Sequence, residues 1–162
     1  MKSKILVSGC LLGRPVRYNG SSLTLESDLL TEWSRLGMIV PLCPEVAAGF
    51  QIPRPPAEIE PGCDGSDVSS GRGKIFEDNG SDVTDLFQAG AQIAVETAIA
   101  EGCGYALLTD GSPSCGSTFI YSGHHDGARK SGFGIVTSRL REAGIKVFAQ
   151  HQIQQLADEL SS

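Results

Sequence analysis

The sequence predicts a single α/β domain over residues 1–162, with a doubly wound, mostly parallel sheet and helices on both faces. Short apolar runs alternate along the chain with longer segments whose apolar residues recur at helical spacing. The short runs are almost continuously apolar, as expected for strands that are buried on both faces of a parallel sheet. Neither a repeat nor a linker divides the chain. Right-handed crossovers are therefore expected between successive strands.

Each short apolar run is predicted to be a buried strand. The first run, KILVS, is bounded by Gly9, and the second is interrupted by Pro41 near its end. The four predicted strands lie at residues 4–8, 38–42, 105–109 and 145–148.

Helices are predicted where apolar residues recur every three or four positions. In the first helix Leu25 and Trp33 share one face, and Gly37 ends the segment. The longest helix is capped at its start by Ser81 or Asp82. The four predicted helices lie at residues 24–36, 82–101, 136–143 and 153–160.

Two long loops are predicted between these elements. Residues 44–73 contain five prolines and five glycines, and a loop of this length in a compact domain is more often functional than not. Residues 111–130 are also predicted to be a loop, because Pro113 and nearby glycines interrupt regular structure. We interpret His124 and His125 as part of this solvated loop, since adjacent side chains point in different directions and make a poor metal pair.

Composition and charge limit the classes of partner. Hydrophobic residues make up 40% of the chain and charged residues 20%, which is ordinary for a globular protein. A net charge of −6 disfavours binding to long nucleic acids. We see no signal peptide and no apolar segment long enough to span a membrane, so a cytoplasmic protein is expected. Its five cysteines then indicate metal or thiol chemistry in preference to disulfides. No oligomeric state is indicated.

Three of the cysteines follow the ends of predicted strands. Cys10 comes two residues after the first strand, Cys43 lies at the end of the second, and Cys115 is in the loop after the third. In an open parallel sheet, ligands bind in the crevice beyond the carboxyl ends of the strands. We therefore expect the three thiols to meet at one edge of the sheet and to form the chemical centre.

Three cysteines without an obvious fourth make an incomplete site for a soft metal. A structural zinc site closes with four protein ligands, whereas a catalytic zinc site keeps one position open. An iron–sulfur cube held by three thiolates would leave one iron able to bind a soft atom such as sulfur. A thiol-based transferase with Cys115 as its nucleophile is a third interpretation, and it predicts activity without metal.

Six short motifs, spread over nearly the whole chain, resemble those of the small iron–sulfur desulfidases typified by 2-thiouracil desulfidase. The motifs are SGCLLG at 8–13, PVRYNG at 15–20, CPE at 43–45, PRPPAEI at 53–59, DVT at 82–84 and SPSCG at 112–116. The resemblance implies that Cys10, Cys43 and Cys115 hold a 4Fe–4S cluster with one iron not bound by a protein cysteine. It also implies that this iron takes the sulfur of a small thiolated substrate, with Glu45 and Ser112 as catalytic groups.

Other residues at the same edge are candidates for binding the substrate. These are Arg17, Tyr18, Arg54 and Ser114, all in loops that follow strands or lie near them. An arginine could instead tether the long loop through carboxylates, and a serine beside Pro113 could simply form a turn.

The predicted function is therefore a desulfidase that replaces sulfur by oxygen from water, in a thiolated nucleobase or a related small thioamide, without net redox change. The alternative is a non-catalytic metal- or cluster-binding module that uses the same three cysteines. The other two cysteines are given no site role: Cys103 is interpreted as a small core residue and Cys63 as part of a turn.

Overall fold

The computed structural model describes residues 3–15, 17–21 and 24–161; Val16, which belongs to one of the motifs above, lies outside them. Four strands form the central sheet and four shorter strands form two separate hairpins. In chain order the strands are β1 (Lys4–Ser8), β2 (Ile39–Leu42), β3 (Ala57–Ile59), β4 (Ile75–Glu77), β5 (Cys103–Leu108), β6 (Phe119–Tyr121), β7 (Arg129–Ser131) and β8 (Lys146–Ala149).

The central sheet has the strand order β2-β1-β5-β8, and all of its pairs are parallel. β1 lies in the middle, where Ile5 pairs with Ile39 of β2 on one side and with Tyr105 of β5 on the other. Because every strand runs in the same direction, all four carboxyl ends lie at one edge. The order reverses at β1, since the chain moves first to β2 and later to β5 on its opposite side.

Six α-helices connect or cover these strands within the described residues. They are α1 (Asp28–Arg35), α2 (Pro44–Ala47), α3 (Gly65–Ser69), α4 (Thr84–Glu101), α5 (Ile135–Glu142) and α6 (Ile153–Ser161). The first helix begins at Asp28 rather than at the predicted residue 24, because the Ser27 hydroxyl caps it by accepting the Leu29 N–H at 3.2 Å. No helix in the part of the chain that the structure describes is long and apolar enough to cross a membrane.

The sheet is covered on both faces, which confirms the predicted fold class. Side chains of β1 alternate between the faces, as the two-residue period of a strand requires. Leu6 belongs to the core formed with α4 and α5, whereas Ile5 and Val7 belong to the core formed with α1 and α6. α1 buries Leu30 and Trp33 in this second core, and α6 buries Leu156.

The prediction of structureless loops at 44–73 and 111–130 is wrong. The first segment contains α2, β3 and α3, and the second contains the β6–β7 hairpin. α3 forms because Asp64 and Asp67 make a capping box, in which each side chain accepts the other residue's backbone N–H. The β3–β4 and β6–β7 hairpins are antiparallel and lie outside the central sheet.

Candidate active site

The three strand-end cysteines line one cavity at the carboxyl edge of the sheet, as the sequence predicts. Its volume is about 410 Å³, and Cys10, Cys43 and Cys115 are all in its wall. The cysteines form no disulfide. Among the described residues, no group of three or more His, Cys, Asp or Glu side chains is arranged around a single metal ion.

Cys10 and Thr109 join the two strand ends at which the sheet order reverses. Cys10 lies in the helical turn Gly9–Leu12 directly after β1, and its Sγ is 2.8 Å from the Thr109 Oγ1 at the end of β5. The Ser8 hydroxyl accepts the Thr109 N–H at 3.0 Å and so ties the same ends together. This reversal point is where an open α/β sheet forms its ligand crevice.

Cys10 and Cys115 are buried and Cys43 is partly buried, and the thiols are close enough for Cys10 and Cys43 to affect the pKa of Cys115. Burial raises the pKa of the Cys10 thiol, although the hydrogen bond with Thr109 and the charge of Arg17 oppose this. Burial also raises the pKa of Cys43. Burial, and then the negative charges of Glu45, Cys43 and Cys10, raise the pKa of Cys115 well above its usual value. An isolated Cys115 thiol is therefore a poor nucleophile, which argues against the thiol-transferase interpretation.

The loop that carries Cys115 is held in place by the N-terminus of α5. The N–H groups of Gly134, Ile135 and Val136 donate to the carbonyls of residues 116, 113 and 114 at 2.8, 2.9 and 2.9 Å. The first turn of the helix thus finds acceptors for N–H groups that have none within the helix. Gly134 permits this approach, because a Cβ there would lie 2.4 Å from the Ser114 carbonyl oxygen.

The two predicted serines of this loop have different positions. Ser112 lines the cavity, and its hydroxyl oxygen accepts the Cys115 N–H at 2.7 Å, so its proton remains available to a ligand. Ser114 is buried with 1% of its surface exposed and is not part of the cavity wall. Its carbonyl is occupied by α5. The substrate-binding role expected of Ser114 is therefore corrected: the residue anchors the loop.

Asp110 organises the beginning of the same loop and was missed from the sequence. Its Oδ1 accepts the N–H groups of Ser117 and Thr118 at 2.9 and 3.1 Å, and its Oδ2 accepts the Thr118 hydroxyl. Burial opposes ionisation of this carboxyl, but the hydrogen bonds outweigh burial and hold its pKa below the usual value. The Asp-Gly pair directly after a strand was the available signal for such a turn.

We expect Asp110→Asn to lower the free energy of unfolding at pH 7 by about 3 kcal/mol, because an amide cannot satisfy the converging donors of a buried carboxylate. Since folding lowers the pKa of Asp110, its contribution is complete above the unfolded value of about 4 and is lost as the pH falls through the folded value. The difference between the two proteins should therefore shrink below about pH 4. This difference can be measured by urea unfolding, monitored through the fluorescence of the single, buried Trp33.

Asp126 provides the control for this prediction. It is exposed, yet it also accepts a backbone N–H, from Ala128 at 2.9 Å, and a hydroxyl, from Ser122 at 3.0 Å. Asp126→Asn should have a much smaller effect on unfolding. If the two variants lowered the free energy of unfolding equally, Asp110 would not have the organising role assigned to it.

Glu45 lies in the cavity wall on the first turn of α2, two residues after Cys43. It forms a buried ion pair with Arg54, whose side chain is 6% exposed while that of Glu45 is 14% exposed. The Arg54 guanidinium also lies 5.8 Å from the centre of the Phe50 ring. α2 is seated directly on α4, because a Cβ at Gly90 would be 2.7 Å from the carbonyl oxygen of the residue before Glu45. Arg54 thus tethers the loop through a carboxylate, as one of the sequence interpretations anticipated.

The remaining predicted site residues, Arg17 and Tyr18, also line the cavity. The Tyr18 carbonyl accepts the Arg54 N–H at 2.6 Å, which joins their loop to the loop after α2. Cys63 and Cys103 are not in the wall. Cys103 is packed in the core beneath α4, and burial raises the pKa of its thiol to about 11.

Three polar residues of the two hairpins line the cavity although the sequence analysis gave them no role. They are Glu58 of β3, Tyr121 of β6 and His125 of the connection between β6 and β7. Because the hairpins were not predicted, the sequence alone did not place these residues beside the cysteines.

Fold and site together define a small α/β enzyme with a cysteine-lined active-site cavity. The sequence pattern of the 2-thiouracil desulfurase family matches residues 5–152, so the chain belongs to this family of sulfur-removing enzymes. The uncharacterized protein YbbK of Bacillus subtilis strain 168 is 39% identical over 154 residues, which cover 94% of this chain and 99% of YbbK. Among solved structures, the 4Fe–4S-dependent thiouracil desulfidase TudS superposes with a TM-score of 0.89 at 43% identity and 99% coverage of each chain.

Proposed function

We propose that the enzyme removes sulfur from 2-thiouracil or a closely related small thioamide and replaces it with oxygen from water, without net redox change. The observation that carries this proposal is the gathering of Cys10, Cys43 and Cys115 around one cavity beside Glu45 and Ser112. A thiocarbonyl and water then give a carbonyl and hydrogen sulfide, so the carbon keeps its oxidation state. The alternative of a non-catalytic binding module is not retained, because the chain belongs to a family of enzymes.

The cavity residues fit a 4Fe–4S cluster. Cys10, Cys43 and Cys115 are unpaired by disulfides, and thiolates are the usual ligands of iron–sulfur clusters. Held by these three side chains, the cluster would supply one iron that lacks a cysteine ligand and can draw electron density from a thiocarbonyl through its sulfur. A cytoplasmic location belongs to the same proposal, because thiols stay reduced there.

Glu45 is assigned the proton transfers. Its carboxylate takes a proton from the attacking water and later delivers one to the departing sulfur. Arg54 holds this carboxylate through the buried ion pair and so fixes its direction. The position of Glu45 two residues from Cys43 supports the assignment, because both substrate carbon and sulfur would lie near that thiol.

Ser112 is assigned a hydrogen bond to the substrate. Its oxygen already accepts the Cys115 N–H, which orients the hydroxyl and leaves its proton to donate. Arg17 and Tyr18 are proposed to contact the substrate from the opposite loop, and Arg54 acts mainly by positioning Glu45.

Anaerobic reconstitution tests the proposal. The protein, loaded with iron and sulfide, should show the broad visible absorption of a 4Fe–4S cluster and about four irons per chain. Incubation with 2-thiouracil in isotopically labelled water should release sulfide and give uracil with one labelled oxygen, with no electron donor or acceptor added. An iron-free, inactive product would contradict the proposed function. A requirement for a reductant would contradict its non-redox part.

A further inference from the structure

A second wall of the cavity is built by the two hairpins rather than by the carboxyl edge of the central sheet. Glu58 of β3 and His125 after β6 belong to this wall, together with Tyr121. The cysteines line the cavity from other elements: Cys10 follows β1, Cys43 follows β2, and Cys115 lies in the loop after β5. The hairpin wall is therefore a surface of the cavity that the strand ends do not form.

Glu58 fixes the conformation of the turn that carries His125. Its Oε1 accepts the N–H groups of Gly123 and His125 at 2.8 and 3.3 Å, and its side chain is 11% exposed. The turn also sits directly on β3, because a Cβ at Gly123 would lie 2.5 Å from the Ile59 carbonyl oxygen. A turn held at several points by a neighbouring hairpin is a rigid support for a side chain.

The backbone and ring of His125 are both set by this arrangement. His125 has a φ of +55°, in the left-handed region that residues other than glycine seldom occupy. Such a conformation persists only where the surroundings enforce it, and here Glu58 does so. The His125 Nδ1 is 3.6 Å from the Glu58 Oε2, and its side chain is 23% exposed, whereas the adjacent His124 is fully on the surface. Nδ1 is thus the ring nitrogen beside Glu58, which leaves Nε2 for a ligand of the cavity that His125 lines.

Beside His125 the wall contains the aromatic side chain of Tyr121. Tyr121 packs edge-on against Phe119 with ring centres 6.0 Å apart, and the Arg129 guanidinium lies 4.4 Å from the centre of the Phe119 ring. This stack restricts the movement of Tyr121 and leaves it in the cavity wall. A planar heterocycle with polar atoms on its rim would match an aromatic side chain next to an oriented imidazole.

We propose that His125, oriented by Glu58, binds the polar edge of a cyclic thioamide that lies away from its thiocarbonyl group. This inference rests on the proposed function and deepens it by assigning the residue that recognises the ring: a cyclic thioamide with a carbonyl oxygen should bind more tightly than one without it. His125 is a substrate-binding residue: protonated beside the Glu58 carboxylate, its imidazole donates Nε2–H to the carbonyl oxygen of the ring. Glu58 is a positioning residue. Binding the ring from the hairpin wall leaves the sulfur directed toward the cysteines.

The experiment compares two substrates that differ at this edge. 2-Thiouracil carries a carbonyl oxygen on the ring carbon two bonds from its thiocarbonyl carbon, and 2-mercaptopyrimidine does not. His125→Ala should raise the KM for 2-thiouracil about tenfold, the effect of one lost hydrogen bond, while kcat changes less than about twofold. The KM for 2-mercaptopyrimidine should be unchanged. Isothermal titration of the cluster-loaded protein with uracil, the oxygen-containing product, should show the same tenfold weakening.

Three further variants make this comparison decisive. His124→Ala is the matched control and should behave as the wild type. His125→Asn tolerates the left-handed backbone and should reproduce the alanine result without disturbing the turn. Glu58→Gln keeps an oxygen for the two N–H groups but removes the charge beside Nδ1, and should raise KM by a smaller factor at constant kcat.

The outcomes separate this inference from the function on which it rests. If both His125 variants match His124→Ala while the wild type releases sulfide, the inference is overturned and the function stands. A fall in kcat without a change in KM would also overturn it, because His125 would then act in the chemistry. A wild-type protein that neither binds uracil nor releases sulfide overturns the proposed function and this inference together.

Discussion

Replacing Cys10, Cys43 or Cys115 by alanine should leave a folded protein that no longer retains an iron–sulfur cluster and has no desulfidase activity. Two thiolates cannot replace three as ligands of the cube, and the cavity wall contains no further cysteine among the residues that the structure describes. Iron and sulfide content, the visible absorption spectrum and sulfide release from 2-thiouracil should therefore fall together. The largest single effect is expected here, because in the proposed function the cluster is the site that binds sulfur.

The chain supplies its own controls for this result. Cys63→Ala and Cys103→Ala remove the two thiols outside the cavity wall and should keep both the cluster and the activity. Cys103→Ala tests for a general effect of losing a buried thiol, since Cys103 is packed in the core. Retention of a full cluster after any one of the three cavity substitutions would refute the proposed ligand set.

Glu45→Gln should lower kcat by about one-hundredfold to ten-thousandfold, the range expected when a general acid–base group is lost. The amide oxygen can still accept a hydrogen bond from Arg54, so α2 and Cys43, the proposed cluster ligand, should keep their positions. The cluster spectrum and the affinity for uracil should accordingly be unchanged. Stopped assays of sulfide release, with iron content measured on the same samples, check the prediction.

Glu101→Gln is the control for the loss of a glutamate charge. Glu101 forms an exposed ion pair with Lys4 at 3.3 Å, at the opposite edge of the sheet from the cavity. This variant should be as active as the wild type. A Glu45→Gln protein with normal turnover and a full cluster would remove Glu45 from the mechanism and leave its pairing with Arg54 as a structural feature.

The central sheet was predictable because its strands are continuous apolar runs, and no other pattern in those residues predicts a different structure. β1 is found at residues 4–8, as predicted, and the convergence of the cysteines followed from the direction of the strands alone. The start of α1 was misplaced because a local cap at Ser27, and not the apolar pattern, sets it. Local sequence patterns were thus reliable for the scaffold and less so for the ends of its elements.

The hairpin wall was not predictable by the same reasoning. Its strands have only three residues each, too few to show a period, and its polar contacts join distant parts of the chain. Glu58, for example, accepts the N–H of a residue 67 positions later. His125 therefore looked like a solvent-exposed loop residue, although the structure places it, partly buried, in the cavity wall. Asp110 was missed for a related reason, because its donors are supplied by a loop whose path no periodicity reveals.

The central place of β1 in the sheet has a consequence for the order of assembly. Cys10 and Cys43 are synthesised early, but Cys115 is added only after α4 and β5 have been made. Pairing of β5 with β1 closes a long stretch of chain, which makes it one of the slower events of folding. The set of three thiols is thus complete only in a nearly finished molecule, and delivery of the cofactor is expected to follow folding rather than to guide it.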